Sequence, residues 1–296
     1  MNTRTIALTA MLLCAVLASA DDRDSITFAA SSVNAGDSWT DISSYETSLA
    51  LSLNDSYREL PPTTQTTSVS REKRVTVLSA QGNDKLTGVE VEYDSVEING
   101  VDVTPAYAGK KYVITVQGNK PATIKYANGD TPSDDELLFV ASDNNRHGQL
   151  RAMNKTFGGK TVAVGDTLRV SNPDDLIDAE AGMRVRDFSM TLKSIEGDTA
   201  IFDVVLELSS DVRKPKKAAP DASVWDSGAL RLDLTGTLEA RATTSRIVAL
   251  TLTGPASISS RKATSGKKGP PNAQVDRVQT MSGEGEASLS SSYTYP

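Results

Sequence analysis

The chain has one cysteine and one histidine, Cys14 and His147, and their positions limit its chemistry. A single imidazole cannot build a metal site with two or more histidine ligands, a Cys-His dyad or a zinc cluster. A Ser-His-Asp triad would need a nucleophile elbow, and no Gly-x-Ser-x-Gly precedes His147. The histidine lies in Asp143-Asn144-Asn145-Arg146-His147-Gly148, a polar helix end where it favours the last carbonyls. Carboxylates are plentiful, so glycosidase-type chemistry needs only a suitable pair, but Trp39, Trp225 and few other aromatics are available to line a sugar cleft. Glu90, Glu92 and Asp94 alternate along one strand face; they read as a solvated stripe answered by a basic neighbour rather than a cation site. Neither a calcium-loop spacing nor a phosphate-cradling glycine run occurs. The expectation is a non-catalytic protein with no metal and no cofactor.

Cys14 lies in a leader. Arg4 gives the positive start, Ile6 to Leu17 the apolar core and Ala18-Ser19-Ala20 the small-x-small cleavage pattern of a secretory signal peptide. The predicted mature chain begins near Asp21, is exported to the periplasm or the extracellular space, and has no thiol. Loss of Arg4 takes the formal charge from -7 to -8. An acidic body without a basic stripe is repelled by phosphate backbones, which excludes nucleic acid as the main partner. The remaining length, about 275 residues, can bury a large core, and no second apolar run reaches the roughly 18 residues of a membrane-spanning helix.

The elements around these residues follow a period of two. Leu230, Leu232, Leu234, Leu238 and Ala240 share one face and lead into Val248, Leu250 and Leu252, with Leu238 opposite Leu250 and Ala240 opposite Val248. Phe188, Met190 and Leu192 pair in the same way with Leu206, Val204 and Phe202 across Glu196-Gly197-Asp198, with an extra residue expected near Arg186-Asp187. Val75 and Val77 answer Val89, Val91 and Tyr93, which sets Arg74 against Glu92, and Tyr112, Ile114, Ile124 and Tyr126 extend the sheet. One segment breaks the period. Thr131 as N-cap, Pro132 at the first position and Asp134-Asp135-Glu136 ahead of Leu137 to Ala141 predict a helix to about Arg146, with a second short helical stretch around Gln149 to Asn154. Arg213 to Ala222 and Arg261 to Asn272, rich in Lys, Pro, Gly and Ala, read as mobile loops.

Val33-Asn34-Ala35-Gly36-Asp37-Ser38-Trp39 and Val162-Ala163-Val164-Gly165-Asp166-Thr167-Leu168 share a Val-x-x-Gly-Asp-Ser/Thr-apolar pattern and suggest two similar halves. The leader, the long antiparallel sheet, the single helix and these glycine-aspartate strand starts together resemble the half-barrel proteins of bacterial cell envelopes, which include periplasmic lipid and lipoprotein carriers. The predicted fold class is mainly β: a large curved antiparallel sheet, as a half-barrel or two similar β halves, with one central amphipathic helix. The division is a signal peptide at 1–20 and one exported domain at 21–296, with halves at about 25–130 and 160–296 joined by a helical segment at 131–155. Two functions fit. One is a binding protein for a lipid or other amphiphile held between sheet and helix, with Phe139, Phe188, Met190, Phe202 and Leu232 as lining residues. The other is a filled module of the envelope or cell surface whose partner is another envelope protein, with the strand at Leu289, Tyr293 and Tyr295 as one possible edge.

Overall fold

The structure is a computed structural model and describes residues 24–30, 32–55, 58–82, 85–116, 122–144, 155–170, 183–218, 222–267 and 274–296. The leader, His147 and the stretch Gln149–Asn154 lie outside the described residues.

Thirteen strands form one open antiparallel sheet. From one edge the order is β10 (Thr167–Arg169), β11 (Met183–Glu196), β12 (Thr199–Ala218), β13 (Ala222–Arg241), β14 (Arg246–Lys267) and β15 (Gln274–Thr294). It continues through β2 (Ser38–Asp55), β4 (Thr63–Gln81), β5 (Lys85–Ile98), β7 (Lys111–Thr115) and β8 (Thr123–Tyr126). Short β3 (Arg58–Glu59) pairs with β2, and β6 (Val101–Asp102) with β5. β1 (Ser25–Thr27) and β9 (Thr161–Ala163) make a separate two-stranded sheet. The last long strand, β15, lies against the first, β2, so early and late parts of the chain share one continuous sheet.

The alternating pattern set most registers. Leu192, Met190 and Phe188 stand opposite Phe202, Val204 and Leu206, with the register shift at Val185/Asp187 where an extra residue was expected. Arg74 faces Glu92, Tyr112 faces Tyr126 and Ile114 faces Ile124. The acidic stripe is answered as expected: Arg74 lies 3.7 Å from Glu92 and 3.5 Å from Asp94, and Lys111 lies 2.9 Å from Glu90. Leu238 faces Leu250, but a bulge sets Ala240 against Ile247 rather than Val248. The two stretches expected to be mobile loops are largely strand instead: β12 runs to Ala218 and β14 to Lys267, with Lys214 opposite Asp226 and Arg261 opposite Thr280. Each prolongs a ladder that is already formed, so a further residue pairs without a new loop closure. Pro215 is tolerated because pairing of β12 with β11 ends at Ser210, which leaves β12 outermost at that point among the described residues.

Curvature comes from close backbone approaches. A Cβ on Gly236 would collide with the carbonyl oxygen of Thr251, one on Gly254 with that of Asp233 and one on Gly285 with that of Ser48. Gly236 stands opposite Leu252, Gly254 opposite Ala287 and Gly285 opposite Leu49, so the three form a diagonal stair across β13, β14 and β15. Glycine kinks aligned in this way let a wide sheet curl.

The two Val-x-x-Gly-Asp segments make the same turn. Gly36 and Gly165 have φ of 95° and 89°, a region where glycine avoids a Cβ penalty. Asp37 accepts from the Asn34 N–H at 3.0 Å, as Asp166 does from the Ala163 N–H at 3.0 Å. Each turn is then clamped to a neighbouring strand: Gly36 N–H to Val77 O and Val77 N–H to Asp37 O, and likewise Gly165 N–H to Leu192 O and Leu192 N–H to Asp166 O. A register shift follows in both places, at Val77/Ser79 and at Leu192/Ser194. Two buried clusters cover the inner face. One centres on Phe202, Met190 and Leu238 and takes in Ile26 and Phe28 from the start of the chain; the other centres on Tyr93, Tyr112 and Val91.

Candidate functional site

The matched turns set the two halves in register and reveal where they differ. On the row nearest the turns, Trp39 faces Val75 and Val75 faces Val91; the counterparts are Leu168, Met190 and Val204. On the next inward row, Asp41 faces Lys73 and Lys73 faces Tyr93. In the second half, β10 runs on into Val170, whose N–H bonds Phe188 O, and Phe188 faces Leu206. The same fold positions, all buried, thus hold Val-Phe-Leu in one half and Asp-Lys-Tyr in the other. The sheet can form with an apolar row here, so the charges serve a purpose other than pairing the strands.

Part of that purpose is to hold a helix. Helix α1 spans Asp134–Asp143, beginning two residues later than expected, because Ser133 rather than Thr131 is the N-cap and forms a capping box with Glu136. Val140 is fully buried against the Tyr93-Tyr112 cluster while Leu138 is 72 % exposed, so the helix rests on the sheet by one side. Two carboxylates pin its ends. Glu136 accepts from Lys110 at 2.7 Å, Tyr112 at 2.9 Å, Tyr126 at 2.7 Å and Ser133 Oγ at 2.7 Å. Asp143 accepts from Lys73 at 2.7 Å and Tyr93 at 2.8 Å and pairs with Arg71. Lys73 also donates to Asn144 Oδ1 at 3.0 Å, and Asn144 Nδ2 donates to the Tyr93 hydroxyl at 2.8 Å.

Burial disfavours both carboxylates, yet both titrate below the ordinary range. At Glu136 the bonds from Lys110, Ser133 and Tyr126 outweigh desolvation, and at Asp143 the charges of Lys73 and Arg71 do. Burial and the neighbouring Asp143 charge push the Tyr93 phenol well above its usual value. A carboxylate depressed by folding stabilises the fold above its unfolded pKa of about 4, and that stabilisation is lost as pH falls through the folded value. Stability measured by urea titration should therefore drop on acidification below about pH 4, and Glu136→Gln should flatten that drop. Identical pH profiles for the two proteins would contradict the clamp.

Beside the clamp the site is unfinished. Asp41 Oδ1, Ser43 Oγ and Ser291 Oγ are buried and have no hydrogen-bond partner among the described residues, in residues 7 %, 5 % and 4 % exposed. Ser43 lies directly opposite Ser291 and Asp41 opposite Tyr293, so these atoms share the inward face at the seam of β2 and β15. Lys73 Nζ stands 3.6 Å from the other Asp41 oxygen. Outward from the seam the same face becomes apolar: Tyr45 faces Leu289, Leu49 faces Gly285, Leu51 faces Gly283 and Leu53 faces Met281. Leu49, Leu51, Leu53, Met281 and Ile258 are half-buried, and a Cβ on Gly283 would crowd Leu51 and come within 3.1 Å of Ile258. A polar seam thus continues into an aliphatic lane.

No protein-family model matches the chain, and no curated protein matches it. The geometry must therefore speak for the site.

Phe188, Met190, Phe202 and Leu232 fall together in the second-half core, all buried. Phe139 lies apart from them on α1, its ring 4.6 Å from that of Tyr107 and 5.4 Å from that of Tyr93. The five residues therefore do not line one space. The seam and lane were missed, although the strand pattern carries a signal: Asp41 and Lys73 interrupt the apolar phase set by Trp39, Val75 and Val77, where a buried position calls for an apolar residue. A separate polar cleft of about 310 Å³ lies among Asn34, Asp37, Arg241, Thr244, Arg246 and Tyr295. Its Arg246 is already bound to Asp37 at 3.2 Å and lies 4.9 Å over the Tyr295 ring. Among the described residues no helix is long and apolar enough to cross a membrane.

Proposed function

We propose that this is an exported, non-catalytic binding protein for an amphipathic ligand, carried on the concave face of the curved sheet where α1 ends. The ligand's tail lies along the lane of Leu49, Leu51 and Ile258, and its polar end points to the seam of Asp41, Ser43 and Ser291. The observation that carries this reading is the change of character along one inward face, from buried polar atoms without partners to half-buried aliphatic side chains. Eight residues separate Ser43 from Leu51, which lies level with Ile258, about 26 Å of strand. That accommodates a polar group and one acyl chain, whose length is about half of a 30 Å bilayer core. Export rests on the leader, and the resemblance to half-barrel carriers of bacterial envelopes rests on element order. The lane lies beside α1 rather than beneath it, since Val140, Tyr93 and Tyr112 are buried together where the helix meets the sheet.

Native mass spectrometry with lipid extraction, on mature protein taken from its own exported compartment, tests the proposal. A stoichiometric amphiphile that is lost in Leu49→Asp/Leu51→Asp is the expected result; protein repeatedly free of small molecules would overturn it.

One observation favours the second reading, an envelope protein as partner. β5 begins to pair with β4 only at Val69, and Ser68 is already bonded to Asn99, so Thr63–Thr67 is an exposed outer edge without a neighbour among the described residues. An extended segment of another protein could add a strand there.

A further inference from the structure

We infer that the seam selects the ligand's polar end: it takes an uncharged group bearing hydroxyls, of the glycerol or sugar type, in preference to a carboxylate or a phosphate ester. This inference rests on the proposed amphiphile site and adds its head-group chemistry.

The charge balance carries the first step. Arg71 and Lys73 are matched by Asp41 and Asp143, so the cluster is neutral as it stands. An added anion would leave a net buried negative charge and an added cation a net positive one, and either is costly away from water. A neutral group adds none.

The orphan atoms carry the second step. Asp41 Oδ1 can only accept a hydrogen bond, while the Ser43 and Ser291 hydroxyls can donate or accept. A ligand hydroxyl can donate to Asp41 and accept from a serine, and a second hydroxyl supplies a partner for the remaining serine. Buried polar atoms left without a partner are rare enough in native proteins to call for an explanation. The apolar row in the other half, with Val170 where Asp41 stands, shows that the Asp41 position does not require a polar residue. Tyr93, Lys73 and Asn144 are committed to Asp143 and to each other, which leaves Asp41, Ser43 and Ser291 as the groups with capacity to spare.

Three probes with one acyl chain length separate the possibilities: 1-monopalmitoylglycerol, palmitate and palmitoyl-lysophosphatidic acid, each titrated below its micellar concentration and followed by Trp fluorescence and native mass spectrometry. A hydrogen bond to a charged group is worth about 1.5–3 kcal/mol, so monopalmitoylglycerol should bind about tenfold or more tighter than palmitate. Ser43→Ala/Ser291→Ala should collapse that ratio to within about threefold, and Asp41→Asn, which leaves the cluster positive, should shift preference towards palmitate. Equal binding of all three probes, with the variants unchanged, would overturn the head-group assignment and leave the carrier reading standing. Binding of none would overturn the carrier reading and the inference with it.

Discussion

Lys73→Met should lower the unfolding free energy by about 3–5 kcal/mol, the cost of stranding a buried charge. Lys73 is 4 % exposed and makes the 2.7 Å bond to Asp143 that ties the end of α1 to β4. Without it, Asp143 and Asp41 share one cation, Arg71, in a region with little water. The decisive companion is Asp41→Val/Lys73→Phe, which copies the Val170-Phe188 pair of the other half. It removes one charge of each sign, leaves Arg71 with Asp143, and should recover more than half of the loss. Urea denaturation of the wild type, Asp41→Val, Lys73→Phe and the double variant gives the coupling directly. A Lys73→Met protein within about 1 kcal/mol of wild type, or a double variant worse than the sum of the singles, would show that the charged row is not a clamp.

Gly285→Ala is the other large effect expected, about 3–5 kcal/mol or loss of folded protein altogether. Its Cβ would meet the Ser48 carbonyl of β2, a backbone atom that can yield only if the strands part, and this is the junction where the two halves join. Gly228→Ala is the control. Its Cβ would meet nothing closer than 3.6 Å, so a change within about 1 kcal/mol is expected. Thermal melts of the two variants, compared with Gly236→Ala and Gly254→Ala, separate close approach from a general glycine effect. Equal losses at Gly228 and Gly285 would remove the glycine stair as the cause of curvature.

What could be read from the chain was whatever obeys a local period. Leu192 opposite Phe202, Arg74 opposite Glu92 and the bulge after Val185 follow from alternation, because a one-residue slip would turn every apolar side chain to water. The helix was legible as an element but not at its boundary, since Thr131 and Ser133 are both good caps and only Glu136 reaching back to Ser133 decides between them. The basic ribbons were misread because lysine, proline and glycine speak of loops, whereas pairing with a neighbouring strand settles their conformation. The site lay further out of reach. Asp41, Ser43, Lys73, Asp143 and Ser291 come from β2, β4, α1 and β15, distant in sequence, and are brought together because β2 lies between β15 and β4 and α1 is tied to β4. The repeated Val-x-x-Gly-Asp turn was visible, but its use as a ruler, showing which polar residues replace apolar ones, required the registers of both halves.

The most direct test of the carrier reading is methyl NMR of protein labelled at leucine and isoleucine, titrated with 1-monopalmitoylglycerol. Shifts confined to Leu49, Leu51 and Ile258, with Leu192, Leu206 and Leu238 of the filled core unmoved, are the expected result. A spectrum unchanged at saturating ligand, or shifts centred on the core leucines, would contradict an amphiphile lane on the concave face.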